Sequence, residues 1–341
     1  KVKMKSKGST RKKVNHSRRW PLIMILCLIL IISLIIINGL MKKQDDELIE
    51  TIEQIISLPD FETVNSDGEA PFYEYSKTIL SYGPRVPSED EGYKKTKAFL
   101  LSKINTQNWH VELNTFKDRT PVGEKEFTNI LATWKGSKVK EHAKTVILAA
   151  HYESKDMPGF LGACDSVVPV SMMIQLMEIM DKHPPTDELE YNIQMIFIDG
   201  EEAFQEWSRR DSLYGSRHLV DTHLTKQQLG SIDVFILLDL IGTSDTQFVN
   251  FHYNHQGYYR RLASYLPSFM SSTRPYRYHV DDDHRPFMEA GVPVLHLISV
   301  PFPKVWHRVS DNLQAISHER SLSFFKGFSS FFYDTFLIVR A

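Results

Sequence analysis

Three places where an apolar run gives way to polar residues carry the chemistry of this chain: Cys164-Asp165-Ser166, Phe197-Ile198-Asp199-Gly200-Glu201-Glu202 and Val305-Trp306-His307. Asp165 and Glu202 offer carboxylate oxygens, and His307 offers an imidazole nitrogen. Three such protein ligands with a fourth position open are the pattern of a catalytic zinc, whereas a structural zinc is usually closed by four ligands rich in Cys. A metal held here would do chemistry.

The elements that must position these residues are read from periodicity. Residues 191–197 alternate Ile193, Met195 and Phe197 and stop at an Asp-Gly pair, as a buried strand ending in a turn does. In an open α/β sheet, ligands gather beyond the carboxyl ends of the strands. Residues 145–150 read as a second buried strand delivering His151 to Ser154, 235–238 as a third delivering Asp239, and 292–295 as a fourth delivering His296 and, further on, Trp306-His307. Strands are also expected near 110–115 and 128–133. Helices are expected over 89–104, 166–180, 211–220, 256–270 and 320–336, the methionine stripe of 166–180 (Met172, Met177, Met180) being core packing. Strands alternating with helices predict an α/β fold with a mixed, mostly parallel central sheet covered by helices on both faces.

Charge is unevenly spread. Nine of the 40 Lys and Arg residues precede Trp20, where there is no Asp or Glu, so the remainder sets 31 basic against 42 acidic residues. That acidic balance argues against a nucleic-acid partner. Residues 21–38 carry no charge and have about the length that spans a bilayer. With the basic cluster on its N-terminal side, this segment reads as an uncleaved signal anchor of type II orientation. The expected layout is a cytosolic arm over 1–20, a transmembrane anchor over 21–38, a stalk over 39–67 and a lumenal catalytic domain over 68–341. The two cysteines are Cys27, inside the anchor, and Cys164, so no disulfide can form within the lumenal part. Cys164 reads as a partly buried free thiol in preference to a zinc ligand.

Longer strings carry a resemblance. Asp199 to Phe204, Trp207-Ser208, Asp211 to Leu219, Leu238 to Gly242, Asp282-Asp283-His284 and Pro301 to His307 closely resemble the animal glutaminyl cyclases, over a stretch from about residue 80 to the C-terminus. The anchor and basic arm are similar to the membrane-bound, Golgi-resident form of that family. The resemblance implies a zinc-exopeptidase-like fold and conversion of N-terminal glutamine, and of glutamate as a further substrate, to pyroglutamate on peptides and proteins. It implies one zinc per chain on Asp165, Glu202 and His307, and Glu201 as the catalytic acid and base. Asp239 and Asp282 then hydrogen-bond around the site, and His296 belongs to the active centre. Trp207, Ile298, Phe302 and Trp306 become the walls of the substrate pocket, and the catalytic domain is expected to be monomeric. Two departures stand out. The disulfide that many animal members carry at positions matching Ala150 and Val170 is missing, and Glu153 stands where the family usually has Asp.

Two other readings stay open on the residues alone. His151, Asp165, Glu202, Asp239 and His307 contain every residue type a two-zinc aminopeptidase needs, with Glu201 activating a water. A catalytically inactive, membrane-tethered binding protein is the third.

Overall fold

The computed structural model describes residues 70–338 apart from Glu89 and Thr186; the expected arm, anchor and stalk lie outside the described residues. In chain order the main elements are α1 (Pro71–Ser81), α2 (Glu91–Lys103), β1 (Trp109–Thr120), β2 (Gly123–Trp134), β3 (Val139–His151), α3 (Val168–Lys182) and β4 (Leu189–Ile198). They continue with α4 (Tyr214–His218), α5 (Lys226–Ser231), β5 (Ile232–Asp239), β6 (Phe248–Phe251), α6 (Gln256–Tyr265), β7 (Met270–Tyr276), α7 (His284–Glu289), β8 (Val294–Ile298) and α8 (His318–Phe332).

Six strands form one sheet in the order β1-β2-β4-β3-β5-β8, and β6 pairs with β7 in a small sheet of its own. The β1-β2 and β2-β4 pairs are antiparallel; β4-β3, β3-β5 and β5-β8 are parallel. The mixed sheet therefore has a parallel centre and an antiparallel flank ending in β1.

Period-two alternation explains why the central strands read as continuous apolar runs. Val146, Leu148 and Ala150 of β3, Ile193, Met195 and Phe197 of β4, and Val234, Ile236 and Leu238 of β5 face one core, which α1, α3, α6 and α8 help to fill. Ile147 and Ala149, Ile196 and Ile198, and Phe235 and Leu237 face the other, closed by Leu219 and Phe287. With both faces buried, neither can be polar. The stripe of Met172, Met177 and Met180 lies in the first core, as a packing role requires. By length and composition 163–182 could cross a membrane, yet it is buried here against the sheet.

Several boundaries differ from the sequence reading for definable reasons. Over 211–220 only Tyr214–His218 is α-helical, because Leu213 has φ 54° and a helix cannot run through it. The 256–270 helix stops at Tyr265, and Met270 already belongs to β7. The last strand starts and ends later than 292–295, so His296 lies inside β8 opposite Leu237 instead of beyond its end.

Gly215, in the first turn of α4, lies so close to the end of β4 that an added Cβ would meet the Asp199 carbonyl oxygen at 2.2 Å and Asn129 Oδ1 at 2.4 Å. Gly215→Ala is expected to cost at least the upper end of the ~1–3 kcal/mol typical of overpacking. A lowered denaturant midpoint with an unchanged slope reports it.

Candidate metal centre and active site

The parallel strands β3, β4, β5 and β8 end at one edge of the sheet, and the chain leaving each of them contributes to one site. After β3, the chain reaches Asp165 through a turn over Ala163–Val167. Gly162 opens it at φ 56°, where a Cβ would strike the Asp165 carbonyl oxygen at 2.1 Å, so glycine is needed on both counts. Asp311 fastens the turn: its Oδ1 accepts the Cys164 N–H (2.9 Å) and its carbonyl the Ala163 N–H (3.2 Å).

After β4, Asp199 is held by three donors, Thr128 N–H (2.5 Å), Tyr93 hydroxyl (2.6 Å) and Tyr152 hydroxyl (3.3 Å). Gly200 turns the chain at φ 70°. The backbone N–H groups of Glu201 and Glu202 then both donate to one oxygen of buried Glu153, at 2.6 and 3.1 Å. Both glutamates are aimed by a carboxylate that grips their main chain. His307, at φ 50°, sits between two tight turns, Trp306 N–H to Pro303 O (2.9 Å) and Arg308 N–H to Val305 O (3.0 Å).

This convergence brings ligand atoms of Asp165, Glu202 and His307 within 4.8 Å of one another. His307 Nε2 is 3.1 Å from Glu202 Oε1 and 3.6 Å from Asp165 Oδ2. Ligands about 2.0–2.2 Å from a tetrahedral zinc stand roughly 3.4 Å apart, so these separations fit that ion. Asp165 Oδ2 is buried with no hydrogen-bond partner, as an oxygen reserved for a cation would be.

A second group, His151, Asp165 and Asp239, adjoins the first through Asp165. His151 Nε2 lies 3.1 Å from Asp165 Oδ1 and 3.4 Å from Asp239 Oδ1, and Asp239 Oδ1 also accepts the Ser166 hydroxyl at 2.5 Å. Asp282, His284 and His296 form a third cluster. His296 and His284 stack at 4.0 Å between centroids, an arrangement that does not direct two in-plane lone pairs at one ion. Burial lowers His296 to about 3, so it is neutral. One tautomer satisfies both of its contacts: it accepts from the Tyr253 hydroxyl at Nδ1 (3.1 Å) and donates from Nε2 to Asp282 (2.7 Å).

Carboxylate crowding sets the electrostatics. Burial and the neighbouring charge of Glu202 raise Asp165 to about 7, and burial pushes Glu201 and Asp282 well above the usual carboxylate range. Burial works the same way on Glu202, but the hydrogen bond and charge of His307, with Lys155 adding to them, outweigh it and lower Glu202. For Asp239, contacts with His151 and Ser166 likewise overcome burial. The donor set carries more negative charge than its cations neutralise, which favours a bound metal ion.

Above these groups lies a cavity of about 490 Å³, lined by Asp165, Glu201, Glu202, Asp239 and His307 and walled by Trp207, Ile298, Phe302 and Trp306. Phe302 meets Trp306 edge-on at 4.8 Å, and Trp306 stacks on His307 at 4.0 Å. Trp207 and Trp306 are 40% and 38% exposed, large apolar surfaces open at the mouth. Asp282 and His296 do not line the cavity; they form a buried pair beside it.

Sequence reasoning missed the groups that hold the site. Lys155 Nζ donates to Glu202 Oε2 (3.3 Å), and Glu153, Asp199 and Asp311 act on main-chain N–H groups. The sequence marks Glu153 and Asp199 as residues at strand ends, but not which main-chain groups they grip, and Lys155 and Asp311 lie in stretches with no periodic signal. Glu153, whose part the change from Asp had put in question, holds the turn of both glutamates. Cys164 is fully buried, not partly, and its thiol faces Asp311 outside every metal-like cluster among the described residues.

Residues 129–331 match the model of Peptidase family M28. A Zn-dependent exopeptidase from Parabacteroides distasonis shares the fold at TM-score 0.66, with 19% identity over 80% of this chain and 98% of that one. The glutaminyl-peptide cyclotransferase of Drosophila melanogaster is 36% identical over 65% of this chain and 69% of its own. The crystal structure of Macrostomum lignano glutaminyl cyclase matches at TM-score 0.68 and 32% identity, covering 77% of this chain and 88% of that one. The fold and site thus define a member of Peptidase family M28 with the zinc-exopeptidase architecture. Within that class the chain belongs to the glutaminyl-peptide cyclotransferase family.

Glu153→Ala leaves two buried N–H groups without an acceptor, each worth about 1–3 kcal/mol. The variant is expected to unfold several degrees lower and to bind zinc more weakly in chelator competition, because the turn carrying Glu202 loses its anchor.

Proposed function

We propose that this chain cyclises the N-terminal glutamine of peptides and proteins, with glutamate as a further substrate, to pyroglutamate, releasing ammonia from glutamine, with one zinc per chain on Asp165, Glu202 and His307. The observation that carries this reading is the placing of Glu201, a buried carboxyl with a raised pKa, beside that three-ligand cluster at the floor of an aromatic-walled cavity.

The reaction joins the α-amine nitrogen to the side-chain amide carbon and breaks that carbon's bond to the amide nitrogen. Bound by Asp165, Glu202 and His307, zinc supplies Lewis acidity toward the γ-carbonyl oxygen. Glu201 takes a proton from the attacking amine and returns it to the departing nitrogen. A carboxyl raised by burial suits both tasks better than an ordinary one, because its pKa lies nearer the operating pH. Nucleophile and electrophile belong to the same residue, so holding the glutamine folded supplies much of the acceleration, up to ~7–11 kcal/mol in favourable intramolecular cases. Trp207, Ile298, Phe302 and Trp306 impose that fold and keep water out, and water would yield glutamate instead.

The His151-Asp165-Asp239 cluster favours the two-zinc aminopeptidase reading. Against it, Asp239 Oδ1 already receives the Ser166 hydroxyl, and the cavity is walled by Trp207, Phe302 and Trp306, aromatic positions that belong to the cyclase resemblance. The same proposal puts the catalytic domain in the Golgi lumen as a monomer tethered by residues 21–38, supported by the uncharged run and the basic cluster before it.

Chelation is expected to abolish ammonia release from a Gln-initiated peptide, and zinc to restore it at one equivalent. Glu201→Gln should lower kcat by about 10²–10⁴-fold while the zinc content stays the same. Two zinc ions per chain with a free amino acid released would install the aminopeptidase.

A further inference from the structure

The two carboxylates of the three-ligand cluster divide their oxygens in the same way. In Asp165, Oδ2 stands 3.6 Å from His307 Nε2 and has no hydrogen-bond partner, while Oδ1 is hydrogen-bonded to His151 Nε2 at 3.1 Å. In Glu202, Oε1 stands 3.1 Å from His307 Nε2, while Oε2 accepts from Lys155 Nζ at 3.3 Å. The ammonium is itself fastened, because it also donates to the carbonyl of Ala203 at 3.0 Å, one residue beyond Glu202. Lys155 does not line the cavity that Glu202 lines, so its charge meets the carboxylate from outside the space open to substrate. A lysine is an unexpected neighbour for a cation site, since it repels the ion that the acids attract.

Resting on the one-zinc cyclotransferase reading, we infer that Lys155 is a positioning residue that keeps Glu202 a one-oxygen ligand and thereby keeps the fourth metal position free for the glutamine γ-carbonyl. A carboxylate can bind a cation through one oxygen or both. With both oxygens of Glu202 turned to the ion, Asp165, Glu202 and His307 would together supply four donors, the number that closes a tetrahedral zinc. Holding Oε2 on an ammonium prevents this, as His151 does for the second oxygen of Asp165. The arrangement sacrifices metal affinity for an open position. That separates it from a structural brace: removing a brace loosens the ion, whereas removing Lys155 tightens it.

The test compares the full-length wild type with Lys155→Met and Lys155→Arg. Three quantities are read: the zinc dissociation constant by chelator competition, the imidazole concentration that shifts the visible spectrum of the cobalt(II)-substituted protein, and ammonia release from Gln-Gly-Gly-amide. Lys155→Met is expected to bind zinc about tenfold more tightly, because a like charge has left the ion's surroundings. It should need about tenfold more imidazole to fill the fourth position and lose about 10–100-fold in kcat/KM, the range seen when a group supporting a metal ligand is removed. Lys155→Arg, which keeps the charge and a donor, should stay close to the wild type in both metal readings. Lys155 belongs to no apolar cluster, and Lys155→Ala carries the same test should methionine disturb the fold. Weaker zinc binding on loss of the lysine, or an unchanged imidazole titration, would overturn the proposal. A wild type that binds zinc yet releases no ammonia would sink the cyclotransferase reading itself, and the two metal readings would still decide what Lys155 does.

Discussion

Five acidic side chains, Asp165, Glu201, Glu202, Asp239 and Asp282, are buried near the carboxyl ends of the parallel strands, and the repulsion among them is the constraint the rest of the site answers. Ionised together in a medium of low polarisability they could not coexist, so each must find a cation, a hydrogen bond or a proton. His307 and Lys155 meet Glu202, His151 and Ser166 meet Asp239, and Glu201 and Asp282 hold their protons more tightly than a solvated acid does. The contrast between Glu201 and Glu202 is informative. Adjacent in sequence and equally buried, they are driven in opposite directions because only Glu202 meets His307 and Lys155. Two identical side chains thereby become suited to different work, one as proton carrier and one as anion.

A second set of acids works on the main chain. Asp199, Glu153 and Asp311 accept from backbone N–H groups, and Asp211 accepts from three in succession, Phe204, Gln205 and Glu206 (2.8–3.0 Å). Buried Arg85 does the reverse, donating to the carbonyls of Tyr152 and Leu161. These groups give loops the fixity that helices and strands provide elsewhere, which a centre requiring sub-ångström placement needs. They also bear on the missing disulfide: Ala150 and Val170 are both packed in the same apolar core, which unites β3 with α3 without a covalent link.

The parts legible in the sequence were those that obey a period. Central strands buried on both faces leave unbroken apolar runs, and each run pointed to the polar residues beyond it: Asp165, Glu201, Glu202, Asp239 and His307 do meet. His296 misled because the apolar run continues past it through Leu297 and Ile298, so a histidine flanked by leucines marked the middle of a strand and not its end. The short elements β6, β7 and α7 passed unnoticed, since four to seven residues of mixed polarity show no period. Glu153 was opaque for another reason. Which backbone groups a carboxylate will grip depends on two turns nearly fifty residues apart, and no local pattern encodes that.

The antiparallel flank has a consequence outside catalysis. Among the described residues β1 is the outermost strand, long enough to offer a row of N–H and C=O groups to any passing chain. Along it Glu112, Lys117 and Arg119 are exposed and Asp118 is half-buried, alternating in sign toward the hairpin tip. A second copy approaching in register would set like charge against like and would have to strip water from each. The edge that gives the sheet its extra width is therefore also guarded against growth into larger aggregates.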